Sequence, residues 1–192
     1  MTYDDSLSMR RLPAASRGVD AGQHDLHGWA MTRTTWAAYA ACSWALFFAL
    51  PSFYWVAGGS VGMKTIARDP DAIALINDPF VVFATGVLKV LGGLFALGLV
   101  QPWGGRFRRP LRLIAWGGGG FCILYGGALM IQHGLMLTGV VDTPSVLGTT
   151  AARWHFWLWD PWWLLGGVLF ALAAWNARQG NQVASDARRS VR

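Results

Sequence analysis

Residues 79–101, PFVVFATGVLKVLGGLFALGLVQ, hold one charged side chain, Lys89, near their middle. About 20 apolar residues in a row cross the ~30 Å hydrocarbon layer as a helix. This stretch therefore reads as a transmembrane helix, which excludes an ordinary soluble fold. A lysine at that depth costs about 2.5–3.5 kcal/mol on insertion scales, so it is expected to avoid lipid. The residues three and four positions away, Thr85, Gly86, Gly92 and Gly93, are all small. Small residues mark the face where other helices approach closely. Lys89 is thus predicted to point into a helix bundle and to need a partner there.

Three further apolar stretches extend the pattern. The first runs over residues 35–57, where Ala38, Ala41, Ala45, Ala49 and Ser52 fall at helical spacing as a small-residue stripe. Pro51 removes one backbone donor and is expected to kink that helix. The third runs over 113–140, with Ala115, Gly119, Cys122, Gly126 and His133 on one face. The fourth covers 154–176 and contains Asp160, followed by Pro161, where a kink or a late helix start is expected. Composition agrees: 54% of the 192 residues are hydrophobic, 14% are charged and none is Glu. The fold class is all-α, a four-helix transmembrane bundle over residues 35–178.

The flanks and loops are read from composition. Residues 1–34 mix Arg and Asp with few apolar side chains and are expected to be a disordered tail. His24 and His27 lie three apart there, too sparse a pair for a metal site. Residues 179–192 form a second tail. Between the first two spans, DPDAIALIND is expected to form a short surface helix, capped by Asp69 with Pro70 at its first position. Cys42 and Cys122 both fall in apolar helices, so no disulfide framework is expected. The first apolar run begins near residue 35 and others follow, unlike a cleavable signal peptide. Gly117 to Gly120 follow no strand and precede no Lys-Ser/Thr, which argues against a nucleotide loop.

The net charge of +6 is explained by topology rather than by nucleic acid. Residues 1–34 carry four Arg, the middle loop carries Arg106, Arg108, Arg109 and Arg112, and the C-terminal end carries Arg178, Arg188, Arg189 and Arg192. The two opposite loops hold only Lys64, Arg68 and Arg153. The positive-inside rule then places both termini in the cytoplasm of a bacterial cell, with four spans in the plasma membrane. The four arginines of the middle loop are expected to meet anionic lipid.

The segments PSFYWVAGG, ending the first span, and LWDPWWLLGG, in the fourth, carry a resemblance. With them the chain resembles a family of small bacterial four-span membrane proteins catalogued as a domain of unknown function, over about residues 36–178. The resemblance implies a fold and no mechanism.

Four polar residues sit on small-residue faces: Ser52, Lys89, His133 and Asp160. At about 1.5 Å per residue, Ser52, His133 and Asp160 lie roughly 8–9 Å below the outer surface, and Lys89 roughly 15 Å. A snorkelling Lys89 reaches their level. Lys89 and Asp160 are therefore expected to form an ion pair, either fixing helix register or serving a small site lined by Tyr54, Trp157 and Trp159. His133 and His155 differ by about 7 Å in depth by the same rise, which disfavours shared ligation of a haem. No cofactor and no metal is implied. The function expected is that of a binding or accessory subunit with a polar site in the outer half of the bundle. Its partners would be membrane lipids, other membrane subunits, or a small or lipidic ligand, and not nucleic acid. The alternatives are a proton-coupled small transporter and an enzyme acting on a membrane-dissolved substrate, with His133 or Asp160 as acid or base.

Overall fold

The computed structural model describes residues 17–76 and 78–190, with the side chains of 35–190 except 72, 75–77 and 180–189. Its contacts divide the chain into two units, Met1–Arg33 and Thr34–Arg192. In the first unit, residues 17–33 are helical, where composition argues for a disordered tail. Once a helix is nucleated, each added residue gains a hydrogen bond, so propagation succeeds where nucleation would fail. The side chains of His24 and His27 lie outside those described.

The described residues are all-helical. Helix α1 spans Arg17–Val56, α2 Pro70–Ile76, α3 Pro79–Gly98, α4 Arg108–Leu137, α5 Gly148–Trp154 and α6 Asp160–Ser190. The 3₁₀ segments Met63–Thr65 and Pro102–Phe107 precede α2 and α4, and a π-helical turn, His155–Trp159, joins α5 to α6. Among the described residues, four stretches are long and apolar enough to cross a membrane: Thr35–Val56, Pro79–Gly98, Pro102–Leu137 and Gly148–Gln179. The protein is a multi-pass membrane protein.

Two Asp-Pro pairs start helices. Asp69 Oδ1 accepts the Asp71 N–H at 2.9 Å, and α2 begins at Pro70, as its sequence predicts. Asp78 Oδ1 accepts the N–H groups of Phe80 and Val81, both at 3.0 Å, and α3 begins at Pro79. In each case the carboxylate satisfies donors that have no intrahelical partner, and proline has none to lose.

Small residues set the packing. Ala38, Ala41, Ala45, Ala49 and Ser52 are all buried, so the predicted stripe of α1 is its interior face. Helices α4 and α6 cross where both are reduced to glycine. A Cβ added at Gly119 would lie 3.0 Å from the Gly167 carbonyl oxygen, and one at Gly126 would lie 3.0 Å from that of Asp160. Within the run from Gly117 to Gly120, only Gly119 faces a neighbour; a Cβ at the other three would meet open space. Close backbone approach therefore uses one glycine of that run, because one residue in about four returns to the same helix face.

Two cores result. One is aliphatic and centred on Ala37, Ala38, Leu99, Leu111, Ala115, Ala173 and Ala174. The other is aromatic, with Trp44 and Phe48 packed against Trp159, Trp162, Trp163 and Phe170. Trp44 donates its Nε1–H to the Trp162 carbonyl at 3.0 Å and lies over Gly166. At the same end, the connections 57–78 and 138–147 are tied together. The Arg68 and Asp69 N–H groups both donate to the Val146 carbonyl, at 2.9 and 3.1 Å.

Candidate functional site

Lys89 does not pair with Asp160. Its Nζ donates to Ser52 Oγ at 2.9 Å and stands 4.0 Å from the centroid of the Phe48 ring. Helix α3 can approach α1 this closely because Gly86 carries no Cβ, which would meet the Phe53 ring at 3.1 Å and Ser52 Cβ at 3.2 Å. Among the described residues no acid lies within ion-pair distance of Lys89; Asp160 instead faces His133 and His155. Contacts lead from Phe48 to Trp159 and Trp163, with centroids 6.4 and 4.9 Å away, and these rings flank Asp160 in the chain. The expected ion pair thus gives way to an aromatic layer and a hydroxyl partner. Lys89 is half-buried on the side of α3 that faces α1. Helical spacing could not decide which neighbour the ammonium meets.

Asp160 is the centre of a second cluster. It is fully buried. Its Oδ2 lies 2.7 Å from Nδ1 of His133, which is also buried. Its Oδ1 lies 3.8 Å from Nδ1 of His155, too long for a hydrogen bond. The other nitrogen of His155, Nε2, lies 3.1 Å from the Ile66 carbonyl. A carbonyl only accepts, so Nε2 carries hydrogen. The imidazoles of His133 and His155 stack at 4.8 Å with their planes 25° apart. Depth counted along the backbone separated them because it ignored the reach of side chains across two helices. Rings stacked this closely leave no room for a macrocycle between their nitrogens.

The π turn explains how His155 joins the site. Five residues separate His155 from Asp160, and in an α-helix that spacing puts them on different faces. Pro161 has no N–H and its ring crowds the carbonyl four residues back, that of Trp157. The ladder widens there, and the Asp160 N–H bonds to the His155 carbonyl five residues earlier. The wider turn brings both side chains to one side. The loop over the site is anchored in the same region, since Trp159 Nε1–H donates to Thr65 Oγ1 at 3.2 Å.

Two residues expected in this site lie elsewhere. Trp157 is 74% exposed, rests edge-on against Phe156 and borders a shallow groove with Ile131 and Gly134. It falls on the outward side of the π turn. Tyr54 is exposed; its ring lies over Gly59 and its hydroxyl accepts the Val61 N–H at 3.4 Å. A side chain at Gly59 would collide with that ring at 2.2 Å, so the pair shapes the connection after α1. Trp159 does belong to the aromatic layer. Arg106 and Arg109 are exposed and Arg108 and Arg112 half-buried, around the first turns of α4. Cations at a helix N-terminus oppose its dipole, so these arginines are not there to stabilise the helix.

Two cavities meet at Lys89. One, of about 330 Å³, is lined by Ser52, Trp55, Met63, Ile66, Ile73, Val81, Val82, Thr85 and Lys89. The other, of about 430 Å³, lies among α1, α3, α4 and α6 and is lined by Phe48, Phe95, Cys122, Trp163, Phe170 and others, with exposed Leu88, Ile114 and Phe121 at its rim. Apart from Lys89, Ser52 and Thr85, their walls are apolar or weakly polar.

Residues 45–170 match the sequence profile of a family described as proteins of unknown function, DUF3995. The chain belongs to the DUF3995 family. The matched stretch includes Ser52, Lys89, His133, His155 and Asp160, so both polar clusters lie within the DUF3995 domain. No curated protein matches the chain, and no solved structure does.

Proposed function

We propose that this DUF3995 protein is a membrane-embedded binding protein, alone or as an accessory subunit, for an amphipathic ligand with an anionic head group. The observation that carries the proposal is the environment of Lys89. An ammonium has three N–H donors. Here one hydrogen bond goes to Ser52, and two apolar cavities adjoin the same nitrogen. An ionisable group within a span is a functional candidate by default. A carboxylate or phosphate head at Lys89 and Ser52 would supply the missing counter-charge. The aromatic walls of the larger cavity would take an apolar chain, and its rim between α3 and α4 would admit that chain from the bilayer.

The arginine distribution supports both termini in the cytoplasm of a bacterial cell and the ligand pocket in the outer half of the membrane. Reporter fusions test this: one after Arg192 should be active only as a cytoplasmic type, and one between Gly139 and Arg153 only as an extracytoplasmic type.

Ligand binding is tested by titrating the detergent-purified chain with a fluorescent fatty acid and, separately, with a fluorescent phosphatidic acid. Saturable binding of either is expected, at least tenfold weaker in Lys89→Met. Equal binding by that variant, or no saturable binding of either amphiphile, overturns the reading.

A further inference from the structure

We infer that His133, His155 and Asp160 form a binding site for a divalent transition metal of the zinc class, distinct from the pocket at Lys89. One donor atom from each residue lies within 4.8 Å of the others. Two imidazoles and one carboxylate are a known donor set for Zn²⁺ and for non-haem Fe²⁺.

The independent observation is a pair of buried atoms without partners. Asp160 Oδ1 and His155 Nδ1 have no hydrogen-bond partner, although both are shut off from solvent. Since Nε2 of His155 holds the hydrogen given to Ile66, neutral His155 turns the bare lone pair of Nδ1 toward Oδ1. A lone pair and a carboxylate oxygen 3.8 Å apart repel one another, and buried polar groups without partners are costly. A cation between them removes both costs.

The spacing suits such an ion. Bonds of about 2.0–2.1 Å at tetrahedral angles separate ligand atoms by about 3.4 Å. The pair at 3.8 Å needs to close only slightly. His133 supplies the third bond through its Nδ1 lone pair, the hydrogen that now joins Nδ1 to Asp160 moving to Nε2 so that the ring stays neutral. The Ile66 carbonyl already provides the outer hydrogen bond that orients a metal-bound imidazole. Three protein ligands leave a fourth position for water or an external ligand. The partly exposed edge of His155 is the side by which an ion can enter.

The test uses the full chain carrying His24→Gln and His27→Gln, purified without a polyhistidine tag and stripped with chelator. Titration with Zn²⁺ should show one saturable site. X-ray absorption of the Zn²⁺-loaded protein should show nitrogen and oxygen ligands with imidazole scattering. Asp160→Asn and His155→Gln should each weaken binding more than the about 10–100-fold that outer-shell partners cost; Lys89→Met should leave it unchanged. Absence of a saturable site, sulfur ligation, or undiminished binding in both ligand variants overturns the inference. The absorption result is read on a chain with the cluster intact, so it decides the matter even where a ligand variant fails to fold.

Discussion

His155 Nδ1 faces Asp160 Oδ1 at 3.8 Å, and neither atom has a hydrogen-bond partner. The two residues belong to consecutive helical segments and meet because the chain makes one π turn before Pro161. On the carboxylate's other oxygen, His133 binds at 2.7 Å from a different helix. Asp160 thus joins α4 to the α5–α6 junction, and Lys89 stands apart on the far side of Phe48.

This arrangement predicts which charges are energetically coupled. His133→Leu leaves the Asp160 carboxylate buried with its closest partner gone, at a cost of about 3–5 kcal/mol. Combining it with Asp160→Leu should cost less than the sum of the two single changes. Lys89→Met and Asp160→Asn should instead add to within about 0.3–0.5 kcal/mol, as for sites that share no partner. Thermal unfolding in detergent measures both cycles. Strong coupling of Lys89 to Asp160 would restore the direct ion pair.

Glycine substitutions should divide by face. Gly126→Ala places a methyl 2.8 Å from Trp163 Cβ and 3.0 Å from a backbone oxygen, and Gly119→Ala meets backbone at 3.0 Å. Overpacking of this kind costs about 1–3 kcal/mol. Gly117→Ala and Gly120→Ala meet open space and should gain up to about 1 kcal/mol of helix propensity. Equal effects on the two faces, measured by thermal unfolding, would mean that α4 is rotated from the orientation described.

Pro161→Ala restores a backbone donor opposite the Trp157 carbonyl. The helix can then close as a regular α-helix, which carries His155 away from Asp160. The expected readout is faster modification of His155 by diethylpyrocarbonate, followed by mass spectrometry, with His133 still protected. Unchanged protection of His155 would show that the π turn is held by packing and not by the proline.

The arginines around the start of α4 are expected to contact anionic lipid at about 1 kcal/mol each. Replacing Arg106, Arg108, Arg109 and Arg112 with Gln should weaken binding of the reconstituted protein to soluble anionic lipid analogues, or scramble its orientation in the fusion assay. If both measurements stay as in the parent chain, the cluster has neither role.

The spans were legible in the sequence because burial in lipid demands long apolar runs with satisfied backbones, and that demand is local. The interior faces were legible too. Ala38, Ala41, Ala45, Ala49 and Ser52, and Ala115, Gly119, Gly126 and His133, are spaced by the helix period and buried, while Cys122 on the same face is half-buried. The starts of α2 and α3 follow from Asp-Pro chemistry within four residues. The pairing of the polar groups was not legible. Lys89 and Asp160 share small-residue faces and comparable depth, yet their partners depend on how far each helix is rotated about its axis. That rotation is set by where Gly119, Gly126 and Gly167 let α4 and α6 touch, and by where Phe48 and Trp163 fill the space between Lys89 and Asp160. The meeting of His155 with Asp160 was not legible either, because straight α-helical counting puts positions five apart on different faces and cannot include a π turn. A proline announces that the ladder must break. Whether the chain kinks, restarts or widens there is decided by packing against residues far away in the sequence.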